Sequence, residues 1–279
     1  MNPNRLPPRT RIGRTALRVS DLKELTEFYR DVVGLSVHDQ SDTIAILGVD
    51  ETPLLVLEED ADALTRHESA TGLYHNAFRV PSREALGDAL GRIQDHWQLS
   101  GASDHRVSEA LYLTDPEGNG IEVYRDFPRD EWPIADDGTV QISTEPLDLD
   151  SIKAAAGGGT QAPPGTDVGH VHLEVSSLDA FRDFYVDTIG FEVQTTMPAA
   201  LFVSVGGYHH HIGANTWHHR TGTASGRGLS WFEVVLPETR ALDVLRDRLV
   251  DSQVTVIETD DGISVTDSNE IDIRFRVET

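Results

Sequence analysis

The chain has 279 residues, a formal net charge of −24, 38% hydrophobic residues and no cysteine. Its length suits two domains of ordinary size, and the absence of Cys rules out a disulfide, a thiolate nucleophile or a Cys-ligated metal. The negative field disfavours nucleic acid and anionic membranes as partners, and an acidic chain whose only lysines are Lys23 and Lys153 fits high salt, where screening tolerates self-repulsion.

The segment Met1 to Arg9 has no apolar core and is not expected to be a signal peptide. No run approaches a membrane span, so a cytoplasmic protein is expected. Ile12 to Val19 reads as a strand. Asp21 to Asp31 carries Leu22, Leu25, Phe28 and Tyr29 at helical spacing and is closed by Gly34. Thr43 to Val49 and Pro53 to Glu58 are strand-like. The same order recurs further on. Leu73 to Val80 is a strand, Ser82 to His96 a helix with an N-cap Ser, and Glu109 to Thr114 and Gly120 to Arg125 are strands around the turn Asp115-Pro-Glu-Gly-Asn-Gly.

Residues 127–166 hold many Pro, Asp and Gly and read as a linker, in which Val140 to Ile142 could add a strand. Beyond it, Phe184-Tyr185 and Gly190 repeat Phe28-Tyr29 and Gly34 at a separation of 156 residues (184 − 28). A repeat at that distance marks a duplicated domain rather than a solenoid. Residues 168–215 repeat the first unit and 229–277 the second. The expectation is an α+β chain of four βαβββ units in two curved-sheet domains, 9–126 and 167–279, with 127–166 between them. Pairing two half-sheets makes a concave cavity on which residues distant in sequence converge.

Metal-ligand chemistry is concentrated between His75 and His211. His75 stands on the strand that opens the second unit, and Glu122 on the strand that closes it. Alternation puts Ile121 and Val123 against the helix and turns Glu122 and Tyr124 to the cavity. A carboxylate there needs a metal or a partner, for which an Arg would also serve. The third unit opens with Gly169-His-Val-His172, so His170 and His172 share a face. It closes with Tyr208-His-His-His-Ile212. If Ile212 packs as Val123 does, His209 and His211 face the cavity and His210 points away. In the fourth unit Trp231 and Asp272, and in the first Ala16 or Leu17, stand where these ligands would be. One complete site is therefore expected.

The helix motifs ending at Gly34 and Gly190, with the closing strand after Asp115-Pro-Glu-Gly-Asn-Gly120, resemble the vicinal oxygen chelate superfamily of glyoxalases, resistance proteins and extradiol dioxygenases. The stretch from Gly101 to Glu122, with His105 and with Tyr112 ten residues before Glu122, is similar to the catalytic segment of catechol 2,3-dioxygenase-like proteins. The resemblance implies Fe(II) or Mn(II) held by His75, Glu122 and His170, with a catechol and O₂ as reactants. It leaves a homodimer open. His105, His172 or His209 would move a proton, and Tyr112 or Tyr124 would donate a hydrogen bond. In such enzymes the ligands come from the third and fourth units, whereas here they come from the second and third. Either those two units close one barrel, or each domain holds half a site. His211 as a fourth ligand would favour a glyoxalase-like isomerase or lyase using Zn(II) or Ni(II). A metal-free drug-binding protein is the third reading, against which the His and Glu cluster argues.

Overall fold

In each of the four units a strand leads into a helix that folds back over it, and three further strands follow. The computed structural model describes residues 5–136 and 138–278; Met1 to Asn4 (the start of the segment expected not to be a signal peptide), Asp137 and Thr279 lie outside the described residues. The first unit comprises β1 (Arg11–Val19), α1 (Leu22–Phe28), β2 (Ser36–Gln40), β3 (Ile44–Val49) and β4 (Thr52–Glu59). The second comprises β5 (Gly72–Arg79), α2 (Arg83–His96), β6 (Gly101–Asp104), β7 (Ser108–Thr114) and β8 (Gly120–Asp126). The connecting segment contributes β9 (Glu145–Pro146) and α3 (Leu149–Ala154). The third unit holds β10 (Asp167–Glu174), α4 (Leu178–Phe181), β11 (Glu192–Met197), β12 (Ala200–Ser204) and β13 (Ile212–Asn215). The fourth holds β14 (Gly228–Leu236), α5 (Thr239–Asp251), β15 (Ile257–Thr259), β16 (Gly262–Thr266) and β17 (Asp272–Val277). The expected duplicated βαβββ architecture is present. No helix among the described residues is long and apolar enough to cross a membrane.

The helices start where side chains can satisfy their first amides. Asp21 accepts from the Glu24 amide and Ser82 from the Ala85 amide. The helices of the first and third units end in a π-type turn, Tyr29–Val33 and Arg182–Ile189, each stopped by a left-handed glycine, Gly34 (φ 91°) and Gly190 (φ 100°). These turns carry the repeated Tyr. The Tyr29 hydroxyl donates to Asp115 (3.1 Å) in the turn before β8, and the Tyr185 hydroxyl donates to Asp267 (3.1 Å) before β17. Each half of the chain is thereby tied to its own second unit across the core. A Cβ on Gly34 would lie 2.8 Å from the Ala162 amide nitrogen and 2.8 Å from the Arg92 guanidinium. Gly34→Ala is therefore expected to lose at least about 1–2 kcal/mol, as left-handed strain plus a clash. Urea unfolding should show a lowered midpoint at unchanged slope.

The sheets do not follow the division at 127–166. One is eight-stranded, in the order β15-β16-β17-β14-β1-β4-β3-β2, and joins the fourth unit to the first. The other is nine-stranded, in the order β11-β12-β13-β10-β5-β8-β7-β6-β9, and joins the third unit to the second. The free opening strand of each unit needs a partner for its backbone groups. β5 finds β10 and β1 finds β14, both antiparallel, and the long connecting segment allows the return. Expected domains 9–126 and 167–279 thus each contribute one unit to each sheet. The expected strand at Val140 to Ile142 is reduced to a single bridge between Ile134 and Val140, and the ninth strand is β9, pairing with β6.

Candidate metal centre

The β5–β10 seam fixes the site. His172 lies opposite His75 and His170 opposite Ala77 across that seam, while β8 runs parallel to β5 with Glu122 beside Ala77. Alternation along β8 acts as expected. Ile121 and Val123 enter the main core, and Glu122 and Tyr124 turn to the other face. Three buried side chains then meet. His75 Nε2 lies 3.0 Å and His170 Nε2 3.2 Å from Glu122 Oε2, and the two Nε2 atoms are 3.2 Å apart. No Arg reaches Glu122 among its polar contacts. Burial pushes its carboxyl pKa up, but the charges and hydrogen bonds of His170 and His75 outweigh this and hold it well below the usual range. Burial holds the His170 pKa down at about 4, against the pull of Glu122.

This donor set fits a divalent ion. Octahedral bonds of about 2.1 Å put cis donors about 3.0 Å apart and trans donors about 4.2 Å apart, whereas a tetrahedral ion needs about 3.4 Å. The observed separations of 3.0, 3.2 and 3.2 Å lie between the cis octahedral and tetrahedral spacings, so the three donors are close enough to hold one ion together. That is the two-His, one-carboxylate arrangement of non-haem Fe(II) sites, and its hard and borderline donors also suit Mn(II). Among the described residues no fourth His, Asp or Glu joins this grouping. In the third unit the place corresponding to Glu122, beside His172, is taken by Gly213. A Cβ there would lie 3.0 Å from the His172 ring. Glycine therefore makes room for the His172 ring and supplies no carboxylate of its own.

A cavity of about 490 Å³ opens onto His75 and Glu122. Its walls include His172, His210, Phe202 and Trp217 from the third unit, and His105 and Tyr112 from the second. Ile142 and Thr144 cover it from the connecting segment. In the eight-stranded sheet the equivalent positions carry Ala16, Val56 and Trp231, packed as an apolar cluster. The expectation of one complete site holds among the described residues, where His75, Glu122 and His170 form the sole grouping able to hold an ion.

A sequence model of the Glyoxalase/Bleomycin resistance protein/Dioxygenase superfamily matches residues 11–123. Over 267 residues the chain is 40% identical to the catechol-2,3-dioxygenase of Bacillus subtilis strain 168, covering 92% of this chain and 94% of that protein. The chain belongs to this superfamily. Solved structures agree on the fold of the superfamily member. A candidate dioxygenase from B. subtilis matches with a TM-score of 0.66 at 14% identity, covering 98% of this chain and 86% of its own. Glyoxalase I from Zea mays matches with a TM-score of 0.59 at 12% identity, covering 96% and 92%.

The remaining expected residues of this superfamily member divide into two groups. His105, Tyr112 and His172 line the cavity. The Ser143 carbonyl can only accept, so His105 Nδ1 donates to it (2.6 Å), and in the neutral ring Nε2 accepts from the Tyr112 hydroxyl (2.6 Å). Burial, and then the charge of Glu122, raise the Tyr112 pKa well above its ordinary value. The His172 ring stands edge-on to His75 (4.8 Å) and its Nε2 accepts from Asn215 (3.1 Å). Burial, with His75 and His170 beside it, keeps that ring neutral.

Tyr124, His209 and His211 stand behind the site instead. The Tyr124 hydroxyl pairs with that of Tyr208 (2.7 Å), and its ring backs His170. His209 Nε2 bonds to Asp126 (2.9 Å). His211 is outside the three-residue cluster; its Nδ1 bonds to Ser204 Oγ (2.8 Å). The residue that reaches the cavity is His210, whose ring centre lies 4.1 Å from that of His170. Strand alternation fails here because Gly206 (φ 62°) and Gly207 (φ 69°) turn the chain out of β12, and β13 begins only at Ile212. The Gly-Gly pair before the His tract was the signal in the sequence that the tract is a loop.

Proposed function

We propose that the protein is an extradiol dioxygenase that opens a catechol ring beside one hydroxyl, consuming one O₂ per diol and placing both oxygen atoms in the product. The observation that carries this reading is the facial set of His75, Glu122 and His170 with the cavity on its open side. When bound, Fe(II) or Mn(II) supplies the Lewis acidity that acidifies the diol and the one-electron chemistry that O₂ requires.

The protein's own groups bind, orient and move protons. Glu122 supplies one negative charge, so the centre keeps net positive charge to attract a diolate. His210 is the nearest proton carrier. Burial, with His170 and His209 beside it, keeps its pKa well below the ordinary value, so the resting ring is neutral. Asp126 accepts from His209 Nε2, and in the neutral tautomers His209 Nδ1 accepts from His210 Nδ1 (2.7 Å). That leaves the lone pair of His210 Nε2 free as a base. On the opposite wall the Tyr112–His105 pair presents a phenol oxygen that orients the diol.

Reconstitution with Fe(II) under anaerobic conditions, followed by O₂ uptake with a panel of catechols, tests the reading. A yellow product absorbing in the near-visible and one O₂ per diol are expected. Isomerisation of a thiol–aldehyde adduct with no O₂ uptake would sink it. His210→Gln is expected to lower kcat about 100-fold while metal content stays unchanged. Parallel loss of metal would make His210 a ligand rather than a proton carrier.

A further inference from the structure

The cavity is too large for a one-ring diol. A space of about 150 Å³ holds benzene, while this one measures about 490 Å³. A ring seated at His75 and Glu122 leaves roughly two thirds of the volume unfilled. The space beyond the metal face is bounded by an aromatic wall. Phe202 and Trp217 stand edge-on or tilted to His172, with ring centres 5.6 and 5.4 Å away, and Met197 lines the same side. Trp217 is 42% exposed, so it lies where the cavity opens to solvent. Its place is set by its amide, which donates to Asn215 Oδ1 (3.2 Å), and by Tyr74, packed edge-on at 5.1 Å.

Charge narrows the choice further. Among the described residues no Arg or Lys lines the cavity. Its one acidic residue, Glu122, is engaged by two His. Hydroxyls such as Ser103, Ser108 and Thr144 line the wall opposite the aromatic side, and they can satisfy a neutral polar atom. Away from the metal face they cannot neutralise a carboxylate, which would enter a chain of net charge −24 with no Arg or Lys beside it. A cationic substituent would likewise find no free carboxylate.

Resting on the dioxygenase reading, we propose that the substrate is an uncharged catechol bearing an apolar substituent about as large as a second ring, seated against Trp217, Phe202 and Met197. Trp217 is the specificity-determining residue at its outer end. The substituent displaces weakly held water from apolar walls, while the diol is fixed at the metal face, so added apolar bulk raises binding rather than obstructing it.

The test compares catechol, 3-methylcatechol, 3-phenylcatechol, 2,3-dihydroxybenzoate and 3,4-dihydroxyphenylacetate. O₂ uptake gives kcat/KM, and anaerobic calorimetry on the Fe(II)-loaded protein gives Kd. The expected order places 3-phenylcatechol at least about tenfold above catechol and both carboxylates at least about 100-fold below it. Trp217→Ala should lose at least about tenfold more on 3-phenylcatechol than on catechol, chiefly in KM. Equal efficiency for catechol and 3-phenylcatechol, a carboxylate among the best substrates, or equal losses in the variant would each overturn the proposal. If no diol consumes O₂ but the calorimetric order holds, the dioxygenase reading fails while the binding preference stands. If O₂ is consumed in a different order, the preference fails alone.

Discussion

Glu122→Gln is expected to abolish metal retention while leaving the fold intact. Gln has the same shape and can still bond to His75 and His170, so the packing around it survives. The negative charge that favours a divalent ion is lost. Removing one partner from a buried charged set typically costs about 3–5 kcal/mol, a factor of roughly 10² to 10⁴ in affinity. The metal-free variant should be less stable than the metal-free parent, because His170 and His75 hold the buried Glu122 carboxyl well below its usual range, so its ionised form stabilises the fold. Metal analysis after anaerobic loading reads the first effect, and urea unfolding of the metal-free proteins reads the second. His211→Gln is the companion measurement. With its Nδ1 bonded to Ser204 and its ring outside the cluster, it should leave affinity unchanged. Loss of metal in both variants would restore a four-ligand site and with it the glyoxalase-like reading.

What could be read from the chain, and what could not, follows from the range of the interactions involved. The unit fold was legible because its signals are local. Phe28-Tyr29 and Gly34 recur as Phe184-Tyr185 and Gly190, and the two π-type turns they form are stopped by left-handed glycines. The inward position of Glu122 was legible because β8 is regular from Gly120 to Asp126. The assortment of units into sheets was not. It depends on β5 choosing β10 rather than β1, a long-range competition between opening strands that carries no local mark. Once made, that choice explains why ligands from the second and third units form one site. The His tract failed for a different reason. Alternation was extended back from Ile212 across a segment that the Gly206-Gly207 turn had already taken out of the sheet. Tyr124 shows a further limit. Its face was assigned correctly, but the bond to Tyr208 that withdraws its hydroxyl from the cavity comes from a residue 84 positions away.

The same cluster of buried His is expected to make the metal-free protein acid-labile. Burial lowers the pKa of His170 to about 4, and that of His211 to about 3, with His209 adding to the effect. An unfolded His titrates near 6.5. Between pH 6.5 and these folded values the unfolded chain binds more protons than the native one, so stability falls as pH falls. Each group's contribution is fully present above pH 6.5 and is lost as pH drops through its folded pKa. At pH 5 the loss from each of these two is about 2 kcal/mol. His172 and His210, also lowered by burial, act in the same direction. The sum is a large part of a typical stability of about 5–15 kcal/mol. Metal-free protein is expected to unfold with a midpoint between about pH 4 and 5.5 in molar salt, followed by Trp fluorescence or circular dichroism. Bound metal should move the midpoint downward, because only the native state holds the three deprotonated donors together. His211→Asn should lower the metal-free midpoint by removing one such group, while acid unfolding that begins only below pH 3.5 in the parent would show that the buried rings carry no such linkage.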